Sequence, residues 1–222
     1  MSSRYPGSRV EVRGWEARYY DLLMNIITLW RYPPFIREVI SLMKIKPADK
    51  IIDFGCGTGR NACLMLEYLS PQGELIGLEI SAEMTAQFRT RCDPFLNARV
   101  LEMRIDESLT FKEEFDKVFI SFVLHGFPQE VREVIVANAH RTLKPKGELF
   151  LLDYNEFSLQ EAPFYFRIPF RHLECSYAAD FIARDWYAVL SHMGFEDFAQ
   201  HLFFRGYVRL LKARKKPTEK KK

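Results

Sequence analysis

"IIDFGCGTGRN", residues 51 to 61, runs a short apolar segment into three glycines on alternate positions, Gly55, Gly57 and Gly59, with Asp53 just before them. "KIIDF" reads as a buried strand, and "RNACLMLEYLS" as a helix that ends before Pro71 and Gly73. The glycines then lie in a strand-to-helix loop, where backbone N–H groups and a helix start can touch a ligand without interference from Cβ atoms. A dinucleotide loop has the spacing GxGxxG, its third glycine allowing tight packing around a pyrophosphate. Here that place belongs to Arg60, and the spacing GxGxG suits a ligand without a pyrophosphate. A tight turn with no ligand is the competing explanation of the glycines taken alone.

Outward from this loop, short apolar runs alternate with helical patterns, the βαβ signature of a parallel sheet with helices on both faces. "ELIGLEI" is a second strand, followed by a helix that Ser81 can cap; "ARVLEMRID" is a third strand and "DKVFISFVL" a fourth. A helix from about Pro128 to Thr142 is stopped by "KPKG" and followed by a fifth strand, "ELFLLD". Upstream, Trp15, Tyr19, Leu22, Leu23, Ile26 and Trp30 fall at helical spacing, Pro33-Pro34 closes that helix, and a second runs near Phe35 to Met43. The expected organisation is one domain: an N-terminal helical extension over 1–47, a core over 48–153, a substrate cap over 154–175, a C-terminal helix and hairpin over 176–211, and a basic tail over 212–222.

Composition bounds the function classes. With 222 residues, 48% of them hydrophobic, the chain can bury a substantial core. No stretch reaches the roughly 18 uncharged apolar residues of a membrane span, and "MSSRYPGSRVEVRG" lacks an apolar signal core, so a soluble, cytoplasmic protein is expected. Cys56, Cys63, Cys92 and Cys175 form no CxxC or Cys/His cluster, which points to reduced core cysteines and no metal. The segment Lys212 to Lys222 holds seven basic residues against Glu219, a balance of +6; with a total of +3, the rest of the chain stands at −3. Such a tail could reach an anionic membrane surface peripherally, or simply solubilise the chain's end. The acidic body argues against nucleic acid, whose phosphates call for a basic groove.

In a doubly wound sheet the ligand lies across the carboxyl ends of the strands. Glu79 closes the second strand and Asp106 the third. A carboxylate only accepts hydrogen bonds, so Glu79 suits two vicinal ribose hydroxyls and Asp106 an adenine amino group, leaving an amino acid for the glycine loop. That combination describes S-adenosyl-L-methionine. With "IIDFGCGTGR", "GLEIS", "RIDESL" and "LKPKGELFLLD" in this order, the chain from about Asp49 to Asp153 resembles the class I S-adenosylmethionine-dependent methyltransferases. The resemblance implies a Rossmann-like seven-stranded sheet whose antiparallel last strand comes from a hairpin within "FEDFAQHLFFRGYVRLLKA". It also implies that Ile80 covers one adenine face, that Glu107 lends its backbone N–H to the ring, and that Ser121 lines the ammonium end. Within the class, "RYYDLLMN" and "GYVRLLKA" look most like the quinone-biosynthesis C-methyltransferases and related small-molecule and lipid enzymes, which carries Tyr20 over as a cofactor contact. The fourth strand ends in "SFVLHGF", unlike the Arg-Asn ending usual in the quinone enzymes.

"YNEFSLQEAPFYFRIPFRHLECSY", after the fifth strand, mixes aromatic rings with Arg167, Arg171 and His172. An insertion there would cover the acceptor, and aromatic walls suit a flat or lipophilic ligand; Tyr154, Phe166 and Arg171 are its expected contacts. Methyl transfer needs nucleophile, carbon and sulfur in line, with a base only where the acceptor must lose a proton. His125, just past the fourth strand, is the candidate catalytic base. An RNA methyltransferase and a non-catalytic S-adenosylmethionine-binding module are the alternatives to a small-molecule methyltransferase.

Overall fold

Alternation along the strands sorts the core into two layers. Successive side chains of a strand point to opposite faces, and in β1 (Lys50–Phe54) Ile51 packs on one side while Ile52 and Phe54 pack on the other. The computed structural model describes Tyr5, Ser8 and residues 32–160 and 176–217. On the Ile51 side lie α1 (Tyr32–Leu42), α2 (Arg60–Leu66) and α3 (Ala82–Cys92), anchored by Phe35, Ile36, Val39, Met65 and Phe88. On the other side lie α4 (Gln129–Thr142), α5 (Ala178–Ile182) and α6 (Trp186–His192), with Ile135, Val136, Phe181, Trp186 and Leu190 in the core.

The seven strands run in the order β3-β2-β1-β4-β5-β7-β6. β2 (Glu74–Glu79), β3 (Ala98–Glu102), β4 (Phe115–Ser121) and β5 (Leu143–Tyr154) continue β1 in parallel. β7 (Val208–Lys215) enters antiparallel between β5 and β6 (Phe195–Phe203). The expected seven-stranded α/β sheet with its antiparallel C-terminal hairpin is therefore present. The order reverses between β1 and β4, and at such a switch point the loops beyond the two strands part to leave a crevice.

Three boundaries differ from the sequence expectation. β3 leaves the ladder after Glu102, so Asp106 stands in the following loop rather than on the strand. There the side-chain amide of Asn138 donates to the carbonyls of Ile105 and Glu107 at 2.8 and 2.7 Å, a helix–loop contact that local alternation cannot announce. β5 begins at Leu143 instead of Glu148, because Leu143 pairs with Phe115 and an irregularity between Phe115 and Lys117 absorbs the residues between. The basic tail is shorter than its composition suggests, since β7 runs through Lys215. Lys212 pairs with Glu148, Arg214 with Glu196, and the buried Lys215 with Glu113 and the carbonyl of Leu143. Those cations are neutralised at the sheet. The helix expected over Trp15 to Trp30, the cap centre over 161–175 and residues 218–222 lie outside the described residues.

One buried cation ties the layers together near the sheet's carboxyl end. Arg132 of α4 is fully buried; its Nε donates to the carbonyl of Leu124 (3.0 Å), Nη1 to Asp180 (2.6 Å) and Nη2 to the carbonyl of Tyr177 (2.7 Å). It thereby fastens the 3-10 turn Leu124–Gly126 to the start of α5. Arg132→Met keeps the bulk but removes the charged donor from the Leu124 and Tyr177 carbonyls, each of which keeps one backbone donor, from Phe127 (3.2 Å) and Phe181 (3.1 Å). Two hydrogen bonds to a charged group are worth roughly 1.5–3 kcal/mol each, so a urea denaturation should record a loss of about 3–6 kcal/mol; an unchanged midpoint would show that the turn is held elsewhere.

Candidate functional site

The crevice at the switch point is built from three loops. After β1, Gly55, Gly57 and Gly59 all take left-handed backbone conformations, with φ of 73°, 54° and 78°. The need is sharp at Gly59, where an added Cβ would sit 2.7 Å from Cδ2 of Phe88, and at Gly55, where it would sit 2.7 Å from Cγ2 of Val123 in the loop after β4. The two loops thus meet, and only a residue without a side chain lets them do so in this conformation. At Gly57 the nearest atom to an added Cβ is the Met84 sulfur, 3.7 Å away.

Glu79, at the end of β2, holds the glycine loop in place. Its carboxylate accepts from the backbone N–H groups of Gly57 (3.0 Å), Ile80 (2.8 Å) and Ser81 (2.9 Å). Burial raises the Glu79 pKa, and those three donors oppose the rise. Ser81 in turn caps α3, its side chain accepting from the N–H of Met84. Asp53 is almost wholly enclosed, and its Oδ2 has no hydrogen-bond partner. Burial first, and the neighbouring Glu79 charge second, push Asp53 up to about 8. Asn61, in the first turn of α2, approaches Ser121 with its amide nitrogen (3.5 Å) while its buried Oδ1 has no partner.

Asp106 completes the row from the loop after β3. Arg104 grips both of its oxygens, Nε on Oδ1 at 3.0 Å and Nη2 on Oδ2 at 3.1 Å, and the Tyr5 hydroxyl donates to Oδ2 at 2.6 Å. Burial works against the charge, but Tyr5 and Arg104 outweigh it and hold Asp106 below the ordinary carboxylate range.

Across the crevice, Phe122 follows β4 with φ of 53°, a costly conformation for a residue with a side chain, and its N–H is fixed by the carbonyl of Leu152 (2.8 Å). The turn it starts delivers His125 onto Asp153 at the end of β5. His125 Nδ1 lies 2.7 Å from Asp153 Oδ1, and the His125 backbone N–H reaches Oδ2 at 3.3 Å. Asp153 is buried, and the imidazole meets the rings of Tyr154 and Phe181 edge-on, with centroids 5.1 and 6.4 Å apart.

Of the residues singled out in the sequence, Asp53, the three glycines, Glu79, Ile80 and Ser121 line or support the crevice between β1 and β4, while Asp106 and Glu107 stand in the β3 loop and His125 and Tyr154 beside Asp153. Tyr20, Phe166 and Arg171 lie outside the described residues. Sequence reasoning missed Asn61, Tyr5 and Arg132. Asn61 alone had a signal, its place in the first turn after the glycine loop; the other two act over long separations. Among the described residues no group of His, Cys, Asp and Glu could hold a metal ion, and no helix is long and apolar enough to cross a membrane.

The donor set can be tested against a ligand. Two buried acceptors without donors, Asp53 Oδ2 and Asn61 Oδ1, fit an ammonium group. Glu79 and Asp106 are acceptors placed farther along the strand ends, and the loop is open to close backbone approach at Gly57. A ligand with an ammonium, a diol and an aromatic amine satisfies this row. The fold and the crevice together are similar to those of the class I S-adenosylmethionine-dependent methyltransferases, and the row of acceptors fits S-adenosyl-L-methionine as a cofactor. The family described as "Methyltransferase domain" matches residues 51–147. The chain is similar to a demethylmenaquinone methyltransferase of Staphylococcus carnosus, 28% identical over 137 residues, 62% of this chain and 56% of that protein. It is likewise similar to a ubiquinone/menaquinone biosynthesis C-methyltransferase of Xanthomonas oryzae, 28% identical over 151 residues, 65% of this chain and 57% of that one. The alignments thus span less than three fifths of these relatives' own length. A solved S-adenosylmethionine-dependent methyltransferase of Aquifex aeolicus shares the fold, with a TM-score of 0.61 at 15% identity over 81% of this chain and 88% of that chain.

The Asp53 carboxyl has a consequence for stability. In the unfolded chain it releases its proton near 3.8, whereas in the fold it keeps it until about 8. Between those values the native state binds more protons than the unfolded one, so this group's contribution falls as pH rises. Urea denaturation of Asp53→Asn should show the variant gaining on the parent steadily from pH 4 to pH 8. A stability difference that does not change with pH would mean that Asp53 is ionised throughout.

Proposed function

We propose that the protein transfers a methyl group from S-adenosyl-L-methionine to a small aromatic or lipophilic acceptor, of the quinol or phenol kind, whose nucleophilic atom must first give up a proton. The single observation that carries this reading is the His125–Asp153 contact of 2.7 Å beside the crevice. Bound S-adenosylmethionine supplies an electrophilic methyl carbon on a sulfonium; the chain's own residues have to hold, shield and deprotonate.

Asp53, Asn61 and Ser121 take the ammonium end, Glu79 the ribose, and Asp106 the adenine amino group, with Ile80 against the ring and the N–H of Glu107 toward it. The roles of the acids rest on the acceptor chemistry of a carboxylate and its place along the strand ends; those of Ile80, Glu107 and Ser121 rest on the resemblance to the class I methyltransferases. His125 donates its Nδ1 proton to Asp153, which makes Nε2 the basic nitrogen of the ring. Asp153, itself fixed by the N–H groups of His125 and Tyr154, locks that tautomer and the ring's orientation. Nε2 would then take the acceptor's proton, and Asp153 would steady the imidazolium that results. Phe122, Tyr154 and Phe181 surround this position with aromatic surface, the setting a flat ring prefers. Phe166 and Arg171, on the cap, complete the acceptor's contacts in this proposal, and Tyr20 the cofactor's.

The quinone relatives support an aromatic acceptor by similarity of sequence. An acceptor that is nucleophilic without losing a proton, such as a thiolate, would leave His125 and Asp153 without a task. The test is tritiated methyl transfer to an alkylated naphthohydroquinone and to simple phenols, with total RNA as the competing acceptor. Labelled quinol or phenol is expected, and incorporation into RNA alone would overturn the reading. His125→Gln should then lower turnover by about 10²–10⁴-fold while calorimetry finds little change in affinity for S-adenosylhomocysteine. Turnover that survives in His125→Gln would remove it as the base.

A further inference from the structure

Tyr5 stands 101 residues from Asp106 in sequence, yet its hydroxyl donates to that carboxylate at 2.6 Å, on Oδ2. Its ring packs edge-on against Phe127 at a centroid separation of 5.4 Å. Phe127 is buried and ends the turn that carries His125. One side chain therefore spans the loop after β3 and the loop after β4, the two walls between which an adenine would lie. A turn in which the N–H of Ser8 donates to the carbonyl of Tyr5 (3.0 Å) sets the local backbone around the ring.

We propose that Tyr5 is a positioning residue of the cofactor site: by donating to Asp106 from the chain's N-terminal region, it fixes that carboxylate as an acceptor for the adenine amino group and so sets the preference for adenine. The proposal rests on the assignment of Asp106 to adenine. The Asp106 side chain is 2% exposed, so its orientation is decided by protein groups. Arg104 clamps the plane of the carboxylate from one side. A second donor on Oδ2 opposes rotation out of that plane. Both donors also favour the ionised form, and an ionised carboxylate only accepts. An amino N–H meets such an acceptor well; the carbonyl of a six-oxo purine meets it lone pair to lone pair. The backbone beneath is held independently by Asn138, so removal of the phenol hydroxyl should free the carboxylate without collapsing the loop.

Calorimetry with two ligands tests this: S-adenosylhomocysteine and its analogue lacking the adenine amino group. Tyr5→Phe keeps the ring against Phe127 and removes only the hydroxyl. Affinity for S-adenosylhomocysteine should fall by about tenfold, the scale of one hydrogen bond to a charged group, while the analogue's affinity hardly moves, so the preference for the amino group shrinks. Equal losses for both ligands would make Tyr5 merely structural, and unchanged binding would remove it from the site. Tighter binding in Tyr5→Phe would mean that the hydroxyl competes with adenine, which also overturns the proposal. Asp106→Asn separates the two levels. If it leaves the amino-group preference intact, the adenine assignment itself fails; if it abolishes that preference while Tyr5→Phe does not alter it, only the role of Tyr5 is lost.

Discussion

Three backbone N–H groups converge on the Glu79 carboxylate, and the crevice depends on that convergence. The donor at 3.0 Å, Gly57, belongs to a loop with three left-handed glycines, positions that contribute no side chain to anchor it. The other two donors, Ile80 and Ser81, begin the connection to α3. One side chain at the end of β2 therefore fixes both the loop that must approach the ligand and the start of the helix behind it. Val123 supplies the opposite wall, its methyl group where a side chain on Gly55 would collide with it. The glycines are tolerable in this fold because Glu79 and Val123 remove the freedom that glycine would otherwise retain.

The same arrangement is electrostatically unbalanced. Glu79 and Asp53 lie near enough for one charge to raise the other's pKa, and burial adds to the effect. Such a site is uncomfortable with both groups ionised and becomes comfortable when a cation arrives, because an ammonium held against Asp53 offsets the repulsion from Glu79. Asp106, held low by Arg104 and Tyr5, behaves differently. The row of acids thus divides into an end poised to respond to a positive charge and an end already settled as an acceptor, matching a ligand that is charged at one end and aromatic at the other.

Much of this was legible in the sequence because it is local. The alternation of Ile51, Ile52 and Phe54, the glycine spacing, and the acid at the end of "ELIGLE" each lie within one strand and its loop, where period and turn chemistry act. The antiparallel hairpin and the seven strands followed from the resemblance. What escaped is non-local. The pattern of "ARVLEMRID" continues the strand through Asp106, whereas Asn138, 33 residues from Ile105, holds that stretch as a loop. The cationic run from Lys212 read as a tail because its carboxylate partners, Glu148, Glu196 and Glu113, are distant in sequence and become neighbours only when the sheet closes. No period or motif points to the pairing of Tyr5 with Asp106 for the same reason.

His125 shows how the fold can supply chemistry that the residue alone does not. An imidazole on a short turn would ordinarily sample several orientations. Here the turn is clamped from below by Arg132, whose donors reach the carbonyls of Leu124 and Tyr177, and from the side by Asp153. Both clamps come from elements that also build the core: α4 under the sheet and the end of β5 beside β4. A base positioned by core elements keeps its geometry when the acceptor binds, and loses no freedom in doing so. That favours an acceptor held mainly by shape and aromatic contact, with the polar work concentrated at one nitrogen. In the proposed mechanism the turn after β4 can depart from the Arg-Asn ending of the quinone enzymes, because Asp153 orients His125 across the sheet and the residues on the turn need only place it.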